Sequence, residues 1–198
     1  MIVKGNKIGG VTFSIAKKMK VVVTHGKRLR EFDEDNITLT EEDADGLLLP
    51  HNDTLVISLT ALDFKIKRVL VDPGSSANII QWRVLEQAKF TGSIILIAKL
   101  LAGFNLASVT TLGEISLPTN AKGIMKTTLF EVVDSDMGYK IILGRPRLHE
   151  MKVIPSTYHQ LLKFPTLEGI KQLKGNQPAA REMNAYSVSS SKGKEHAS

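Results

Sequence analysis

The chain has 198 residues, no cysteine and a formal net charge of +6. The missing cysteines exclude a disulfide scaffold, a thiol nucleophile and any zinc site built on Cys ligands. No apolar run approaches the ~18 residues of a membrane span, and Met1 to Ala16 lack the continuous apolar stretch of a signal peptide. We therefore expect a globular protein of the cytoplasm or nucleus that is not secreted and contacts no membrane.

Charge is arranged in blocks near the N-terminus. Residues 1–30 carry eight bases and no acids, and residues 31–50 carry eight acids and no bases. The blocks fit either a basic arm for nucleic acid with an acidic linker, or two segments that face each other or are solvated. The second interpretation is favoured, because the basic block is sparse and Phe13 is its only aromatic residue. Nucleic acid is therefore not expected as a partner.

Three regions follow from composition. Residues 1–35 are interpreted as a basic N-terminal arm or partial strands, and residues 36–174 as the folded domain. Residues 175–198 are polar and aperiodic, with a serine run at Ser187 to Ser191. Such a segment buries too little apolar surface to offset its chain entropy, so a disordered linker tail is predicted there.

The central region is rich in short strand patterns. Lys99–Phe104 and Glu114–Leu117 flank a polar stretch at 105–113, which predicts a hairpin. A second hairpin is predicted from Leu161–Phe164 and Ile170–Leu173. Apolar or alternating runs predict further strands at 55–59, 64–71, 125–133 and 139–143.

Two short helices complete the predicted elements. Apolar residues recur at helical spacing from Ile79 to Ala88, with Ser75 or Ser76 as a candidate cap. Arg145 to Met151 is compatible with a second helix whose first turn contains Pro146. Many short strands with one or two helices predict a mainly β fold, a small closed barrel with flexible termini.

Asp72 is the strongest candidate for chemistry. The apolar run Val69 to Val71 delivers this carboxylate onto a Pro73-Gly74 turn that is followed by Ser75 and Ser76. Aspartate before Pro-Gly is common turn chemistry, so a capping role is one interpretation. The other is half of a two-carboxylate pair that shares one proton and activates water.

A second carboxylate is hard to find within the chain. Asp136-Met137-Gly138 repeats the Asp-x-Gly spacing, but no apolar strand precedes it. A catalytic pair would therefore need a second copy of Asp72 from a second chain.

The motifs around Asp72 resemble those of a known protein family. The Asp72 loop, a later hairpin and the run Ile141 to Arg145 are similar to retropepsin-type aspartic proteases. More closely, residues 36 to 183 resemble the protease region of plant gypsy-type LTR retrotransposon Gag-Pol polyproteins. The matching motifs are Pro50 to Val56, Val69 to Ile80, Leu143 to Pro146, Pro155 to Gln160 and Lys163 to Thr166.

The resemblance implies an endopeptidase that works as a symmetric homodimer on an extended polyprotein peptide, without metal or cofactor. Each chain would contribute Asp72 as the catalytic residue. The resemblance also assigns supporting roles to three groups. The catalytic loop would contain Pro73, Gly74, Ser75 and Ser76; the segment packed behind it Ile142, Leu143 and Gly144; and the flap Gly103, Phe104, Asn105 and Gly113.

Two positions depart from the family pattern. The family has Thr or Ser where this chain has Pro73, so a hydroxyl that bonds across the dimer is missing. Arg147 stands where an aromatic is usual, and a charge there must be exposed or paired. These departures leave open an inactive relic, or a non-catalytic module of the same fold that binds peptide or nucleic acid.

Other catalytic patterns are missing from the sequence. The histidines, among them His149 and His159, lack metal-ligand spacing and are interpreted as surface or hairpin residues. Ser75 lacks the Gly-x-Ser-x-Gly elbow of a hydrolase nucleophile. Trp82, at helical spacing, is interpreted as a core residue.

Overall fold

The structure is a computed structural model that describes residues 37–102, 108–135 and 137–185. The basic N-terminal block lies outside the described residues, as do most of the predicted flap and the chain after residue 185. All described residues belong to one compact unit, Glu34–Ser198.

The described chain forms eleven strands, three α-helices and two short 3-10 helices, Glu41–Ala44 and Thr91–Ser93. The strands are β1 Val56–Ala61, β2 Phe64–Val71, β3 Ile79–Gln81, β4 Leu100–Ala102, β5 Ser108–Thr110, β6 Gly113–Ala121, β7 Ile124–Val133, β8 Ile141–Leu143, β9 Ile154–Ser156, β10 Leu161–Thr166 and β11 Gly169–Lys174. The α-helices are α1 Trp82–Gln87, α2 Arg145–Glu150 and α3, which covers 177–185.

Six strands close into a barrel in the order β1-β2-β8-β3-β7-β6. The predicted mainly β fold with a small closed barrel is thereby confirmed. Strand β8 pairs in parallel with β2, and β3 pairs in parallel with β7, whereas the other pairs are antiparallel. The parallel pairs bring the ends of β2 and β8 side by side, with Val71 opposite Leu143.

The barrel is filled by the apolar side chains that the strand patterns identify. Val69, Ile80, Phe130, Val132 and Ile141 are fully buried. Strands β3 and β8 have three residues each and consist mostly of Ile and Leu, whereas the eight-residue β2 alternates the buried Ile66, Val69 and Val71 with more exposed residues. Trp82 packs against this core while remaining partly exposed, which agrees with its expected core role.

The first predicted hairpin forms with a different partner strand. Strand β4 pairs with β5, so Leu101 lies opposite Val109. The expected partner, 114–117, belongs instead to β6 and pairs with β7 across the barrel. The sequence predicts the polar stretch 105–113 as the connection of the hairpin, whereas the structure places β5 within it. Ser108 and Thr110 are exposed, so backbone pairing with β4 rather than an apolar pattern defines this strand.

The predicted hairpin of 161–164 with 170–173 is present as β10 and β11. It forms a three-stranded sheet with β9, in the order β11-β10-β9. Leu161, Leu162 and Phe164 are buried against the barrel unit, so this sheet is part of the folded domain.

The ordered domain extends beyond the predicted boundary at residue 174. Residues 177 to 185 form α3, in which Ala180 and Met183 are buried. Gln177 and Arg181 both donate hydrogen bonds to the buried Asp53 carboxylate at 3.0 Å. Composition alone indicated a linker here, because the stabilising partners lie more than 120 residues away in sequence.

The predicted helix start at Ser75 or Ser76 is wrong. Helix α1 begins at Trp82 with Gln81 in the capping position, and Ile79 belongs to β3. The prediction failed because the Ile79-Ile80 pair satisfies a short strand and a helical stripe equally well. Helix α2 carries Pro146 in its first turn as expected. No helix in the described ranges is long and apolar enough to cross a membrane.

Candidate active site

Asp72 follows the last residue of β2 and lies at the junction of two parallel strands. Its backbone N–H donates to the carbonyl of Leu143, the last residue of β8, at 3.0 Å. The side chain is half-buried. The barrel topology therefore holds a carboxylate at the end of two buried strands, where it stays accessible from one side.

The Asp72 loop is a tight turn, as the Pro73-Gly74 pair in its sequence predicts. The Ser75 N–H donates to the Asp72 carbonyl at 3.1 Å, which closes a four-residue turn with Pro73 at its second position. Proline has the right φ for that position. The Gly74 N–H donates to Asp72 Oδ1 at 2.9 Å, so the turn fixes the carboxylate as well as the backbone.

Gly144 packs directly behind this loop. A Cβ added at Gly144 would lie 2.2 Å from the Ala77 carbonyl oxygen and 2.9 Å from that of Ser75. Only glycine allows an approach this close without moving the backbone. The neighbouring residue Leu143 is buried, whereas Ile142 is partly exposed and lines the cleft beside Asp72.

Asn78 connects the loop to the barrel and was not singled out in the sequence. Its Oδ1 accepts from the Gly144 N–H at 3.0 Å, and its Nδ2 donates to the Leu129 carbonyl at 3.0 Å. The side chain is only 4% exposed. An amide seven residues after an apolar strand carries no motif of its own, which explains why sequence reasoning missed it.

Ser75 and Ser76 have different environments. Ser75 Oγ donates to the Ala77 carbonyl at 2.8 Å, and the Ser75 carbonyl accepts from the Arg145 N–H at 3.0 Å. Ser75 therefore stabilises the loop from within. Ser76 is exposed.

A cleft of about 710 Å³ lies over Asp72. Its floor contains Asp72 and Ile142, and the β4–β5 hairpin contributes Leu101 and Val109. The walls are mostly apolar, and Asp72 and Arg145 are the titratable groups among the described lining residues. A cleft of this kind suits an extended chain with apolar side chains.

The predicted flap coincides in part with this hairpin. Gly103, Phe104 and Asn105 lie outside the described residues. Gly113 begins β6 and is buried, and a Cβ there would lie 2.3 Å from the Ile95 carbonyl oxygen. Gly113 thus lies in the barrel wall at the base of the hairpin, which corrects its expected place in the flap.

An ion-pair cluster fixes the base of the hairpin. Lys99 Nζ lies 2.7 Å from Glu114 Oε2 and 2.7 Å from Glu131 Oε1. The hydrogen bonds to Glu114 and then to Glu131 raise the pKa of Lys99 above its ordinary value. Thr111 adds a backbone contact, since its Oγ1 accepts from the Lys99 N–H at 2.9 Å.

The Arg147 side chain is buried, with 2% exposure. A charge at this position is expected to be either exposed or paired, and it is paired. Its Nη1 donates to Glu150 Oε2 at 3.0 Å. Its Nη2 and the Oε2 atom of the buried Glu131 are without hydrogen-bond partners among the described residues. Both side chains line one pocket of about 310 Å³ beside Ser76 and Ala77.

The histidines of the described region have structural contacts. His51 Nε2 bonds with the Tyr158 carbonyl oxygen at 3.0 Å, and His159 Nδ1 bonds with Ser156 Oγ at 2.8 Å. His149 is exposed. No group of three His, Asp or Glu side chains in the described ranges is arranged to hold a metal ion.

Comparison with solved structures identifies the fold. The retroviral protease-like domain of Ddi1 from Leishmania major matches with a TM-score of 0.51 and 18% identity, over 64% of this chain and 96% of that one. The EIAV protease bound to the inhibitor HBY-793 matches at 0.46 and 18%, over 56% and 99%. A retropepsin-like aspartic protease from Rickettsia conorii matches at 0.42 and 16%, over 60% and 80%.

No protein-family model matches the chain, and no curated protein matches it. At 18% identity the likeness to the Ddi1 domain shows the fold alone. The chain therefore has a retropepsin-type fold, and any activity must be argued from the Asp72 site.

Proposed function

We propose that this chain is an aspartic endopeptidase domain that is active as a homodimer. The observation that carries the proposal is the placement of Asp72 at the joined ends of β2 and β8, at the floor of a largely apolar cleft. Among the described residues that line this cleft, Asp72 is the one carboxylate, and Asp136, between the lining residues Ser135 and Met137, lies outside the described residues. In this proposal the second carboxylate is Asp72 of another copy, which a two-fold axis beside the loop would supply.

The reaction would use the two Asp72 carboxyl groups with one proton between them. The ionised group accepts a proton from a water molecule as its oxygen attacks the peptide carbonyl carbon. The protonated group of the other copy donates its proton to the carbonyl oxygen, which gives a neutral tetrahedral diol. Collapse of the diol breaks the C–N bond, with proton transfer to the leaving nitrogen and regeneration of the shared proton.

The site fits an extended peptide as substrate. Leu101 and Val109 of the hairpin face the Asp72 floor, so hairpin closure would exclude water from the scissile bond. The resemblance of residues 36 to 183 to plant gypsy-type elements supports a retroelement polyprotein as the natural substrate in this proposal. Such a protein would act in the cytoplasm or nucleus.

The test is proteolysis of a peptide library by the full chain across pH 3 to 7 and a wide protein concentration range. We expect cleavage that is strongest at acid pH, rises more steeply than linearly with protein concentration, and is blocked by a statine-type inhibitor. Asp72→Asn should abolish it, whereas Asp63→Asn at an exposed turn should not. Folded wild-type protein that cleaves nothing at any concentration would rule the proposal out.

A second candidate is a non-catalytic peptide-binding module of the same fold. The observation that favours it is Pro73, which offers neither a hydroxyl nor an N–H at the exposed tip of the loop. A dimer that lacks those bonds would associate weakly. Peptide binding by folded wild-type protein with no cleavage, and unchanged binding by Asp72→Asn, would support this candidate.

A further inference from the structure

A second, larger groove lies apart from the Asp72 cleft. Its volume is about 1090 Å³, and it shares no lining residue with that cleft. Three parts of the fold form it, namely the segment before β1, the paired strands β1, β2 and β6, and the end of β11. The lining residues are Asp45 to Leu48, Ser58 to Thr60, Lys65, Asn120, Lys122 and Gln172 to Pro178.

Three lysines converge on this groove. Lys65, Lys122 and Lys174 are all exposed, and none forms an ion pair with a described acidic side chain. Asp45 is the one acid among the described lining residues. Lys99 and Lys163 have their charge matched by carboxylates, whereas lysines outside the groove such as Lys89 and Lys140 are also unpaired. What distinguishes the groove is that three unpaired lysines and one acid line the same surface.

The sheet register sets the spacing of these charges. Lys65 lies opposite Thr60, and Thr60 lies opposite Asn120 on the next strand. Two interstrand steps separate Lys65 from Asn120, about 10 Å. Lys122 follows two residues later, at the β6–β7 turn. Lys65 thus lies on β2 and Lys122 directly follows β6, the two strands on either side of β1, and Lys174 at the end of β11 lines the same groove.

The remaining lining provides neutral hydrogen-bonding groups. Asn120 Oδ1 accepts from the Gly123 N–H at 2.8 Å, which leaves the Asn120 amide NH₂ as a donor toward the groove. Ser58, Thr60 and Gln172 add hydroxyl and amide groups. Such side chains contact phosphate and sugar oxygens in nucleic-acid complexes. None of the described residues that line the groove is aromatic, so they offer no base stacking.

We propose that this groove binds the phosphate backbone of single-stranded RNA or DNA without sequence preference. Lysine suits this role, because its ammonium is a compact point charge that follows a phosphate chain without strict geometry. The inference does not depend on proteolysis, since the groove and the Asp72 cleft are separate. It revises the expectation from sequence that nucleic acid is no partner, which considered only the basic block at residues 1–30.

The test measures binding of a fluorescein-labelled 20-nucleotide single-stranded RNA of mixed sequence to the full chain by anisotropy. The test variant is Lys65→Glu/Lys122→Glu/Lys174→Glu. The matched control is Lys89→Glu/Lys140→Glu/Lys152→Glu, which has the same net charge and alters exposed lysines outside the groove that also form no ion pair with a described acid. We expect the groove variant to bind the RNA at least ~10-fold more weakly. The slope of the logarithm of the binding constant against the logarithm of salt concentration should become shallower by about two. The control should stay within about threefold of wild type.

Three results would overturn the proposal. No RNA binding by wild type would exclude it, and equal losses in the two variants would assign binding to net charge or to the basic block. Equally tight lysine-dependent binding of poly-glutamate would indicate an acidic protein as partner. Circular dichroism checks the fold of both variants, and Lys→Gln at the same positions replaces the test variant if it unfolds.

Discussion

The side chain of Asn78 is hydrogen-bonded to the backbone of Gly144, with Oδ1 accepting from the Gly144 N–H at 3.0 Å. The same amide donates to the Leu129 carbonyl on β7 at 3.0 Å. One buried side chain thus joins the Asp72 loop, the end of β8 and the barrel wall. The position of the carboxylate depends on this junction as well as on the loop sequence.

We expect Asn78→Ala to lower the free energy of unfolding by about 2–4 kcal/mol, because it leaves the buried Gly144 N–H without a partner and removes the hydrogen bond to the Leu129 carbonyl. Denaturant unfolding measures the loss. The matched control is Asn52→Ala, since Asn52 is exposed, and its effect should be below about 0.5 kcal/mol. Equal effects of the two changes would show that Asn78 does not hold the loop.

We expect Gly144→Ala to lower the free energy of unfolding by more than the addition of one methyl group usually does. The added carbon would lie 2.2 Å from the Ala77 carbonyl oxygen, so loop and strand must separate. We expect a loss of about 2–4 kcal/mol together with amide chemical-shift changes at Asp72 and Gly74. Gly92→Ala is the control, because nothing lies within 4 Å of its added carbon. A Gly144→Ala protein with wild-type stability would contradict the close packing behind the loop.

Local pattern predicted those parts of the fold whose partners are near in sequence or whose strands are long and apolar. The strand at 125–133, the 161–173 hairpin and the turn at Asp72 follow from β-branched runs and from Pro-Gly chemistry. The retropepsin-type barrel was predicted from the order of the motifs. Neither the β1 sequence nor the β6 sequence indicates that these two strands pair.

The errors have a common physical origin in tertiary contacts. Helix α3 depends on Asp53, whose carboxylate accepts from Gln177 and Arg181, and no local signal marks that pairing. Strand β5 is polar and exposed, so only its backbone pairing with β4 defines it. Lys99, Glu114 and Glu131 are ordinary charges in the sequence and become a cluster only when three strands meet.

The Lys99 cluster should control the mobility of the cleft hairpin. Lys99→Met leaves the buried Glu131 carboxylate without its cation and removes the link between the hairpin base and β6. We expect amide hydrogen exchange in β4 and β5 to become about 10-fold faster or more, with little change in β10 and β11. Lys89→Met is the control.

The double variant Lys99→Met/Glu131→Gln separates the effect of an unpaired buried charge from the effect of lost packing by the lysine stem. Because glutamine carries no charge, it reduces the penalty of an unpaired buried carboxylate. We therefore expect the double variant to be more stable than Lys99→Met. A double variant that is no better than the single one would assign the effect to lost packing by the lysine stem.

The pairing of Asp43 with Lys163 should make stability depend on acid pH. The Lys163 hydrogen bond at 2.7 Å, and then the Thr40 N–H, lower the pKa of Asp43 below its ordinary 3.8. Because the pKa of Asp43 is lower in the folded state than in the unfolded state, ionised Asp43 stabilises the fold. This stabilisation is complete at pH values above the unfolded-state pKa and is lost as the pH falls through the folded-state pKa.

We therefore expect Asp43→Asn to be less stable than wild type at pH 7, with the difference shrinking below about pH 4. Urea unfolding at pH 7, 5, 4 and 3 measures this. Glu42→Gln, which alters an exposed neighbouring carboxylate, should show no such convergence. A difference that is constant from pH 7 to pH 3 would show that the Asp43–Lys163 contact does not form.

Pro73 gives the sharpest test of the proposed dimer. Thr at this position restores a hydroxyl and an N–H at the exposed tip of the Asp72 loop, and its φ is compatible with the second position of the turn. If one hydroxyl from each chain forms a hydrogen bond across the two-fold axis at about 1 kcal/mol each, the dimer gains about 2 kcal/mol. That gain corresponds to a roughly 30-fold lower dissociation constant.

Sedimentation velocity over a 1,000-fold concentration range would measure the dissociation constants of wild type, Pro73→Thr and Pro73→Ala. Alanine restores the N–H without the hydroxyl, so it separates the two groups. We expect Thr to strengthen association far more than Ala and, if the site is catalytic, to raise cleavage in the same proportion at low protein concentration. If wild type and both variants stay monomeric, the Asp72 loop does not form a two-fold interface, since the hydroxyl would then have no partner to bind.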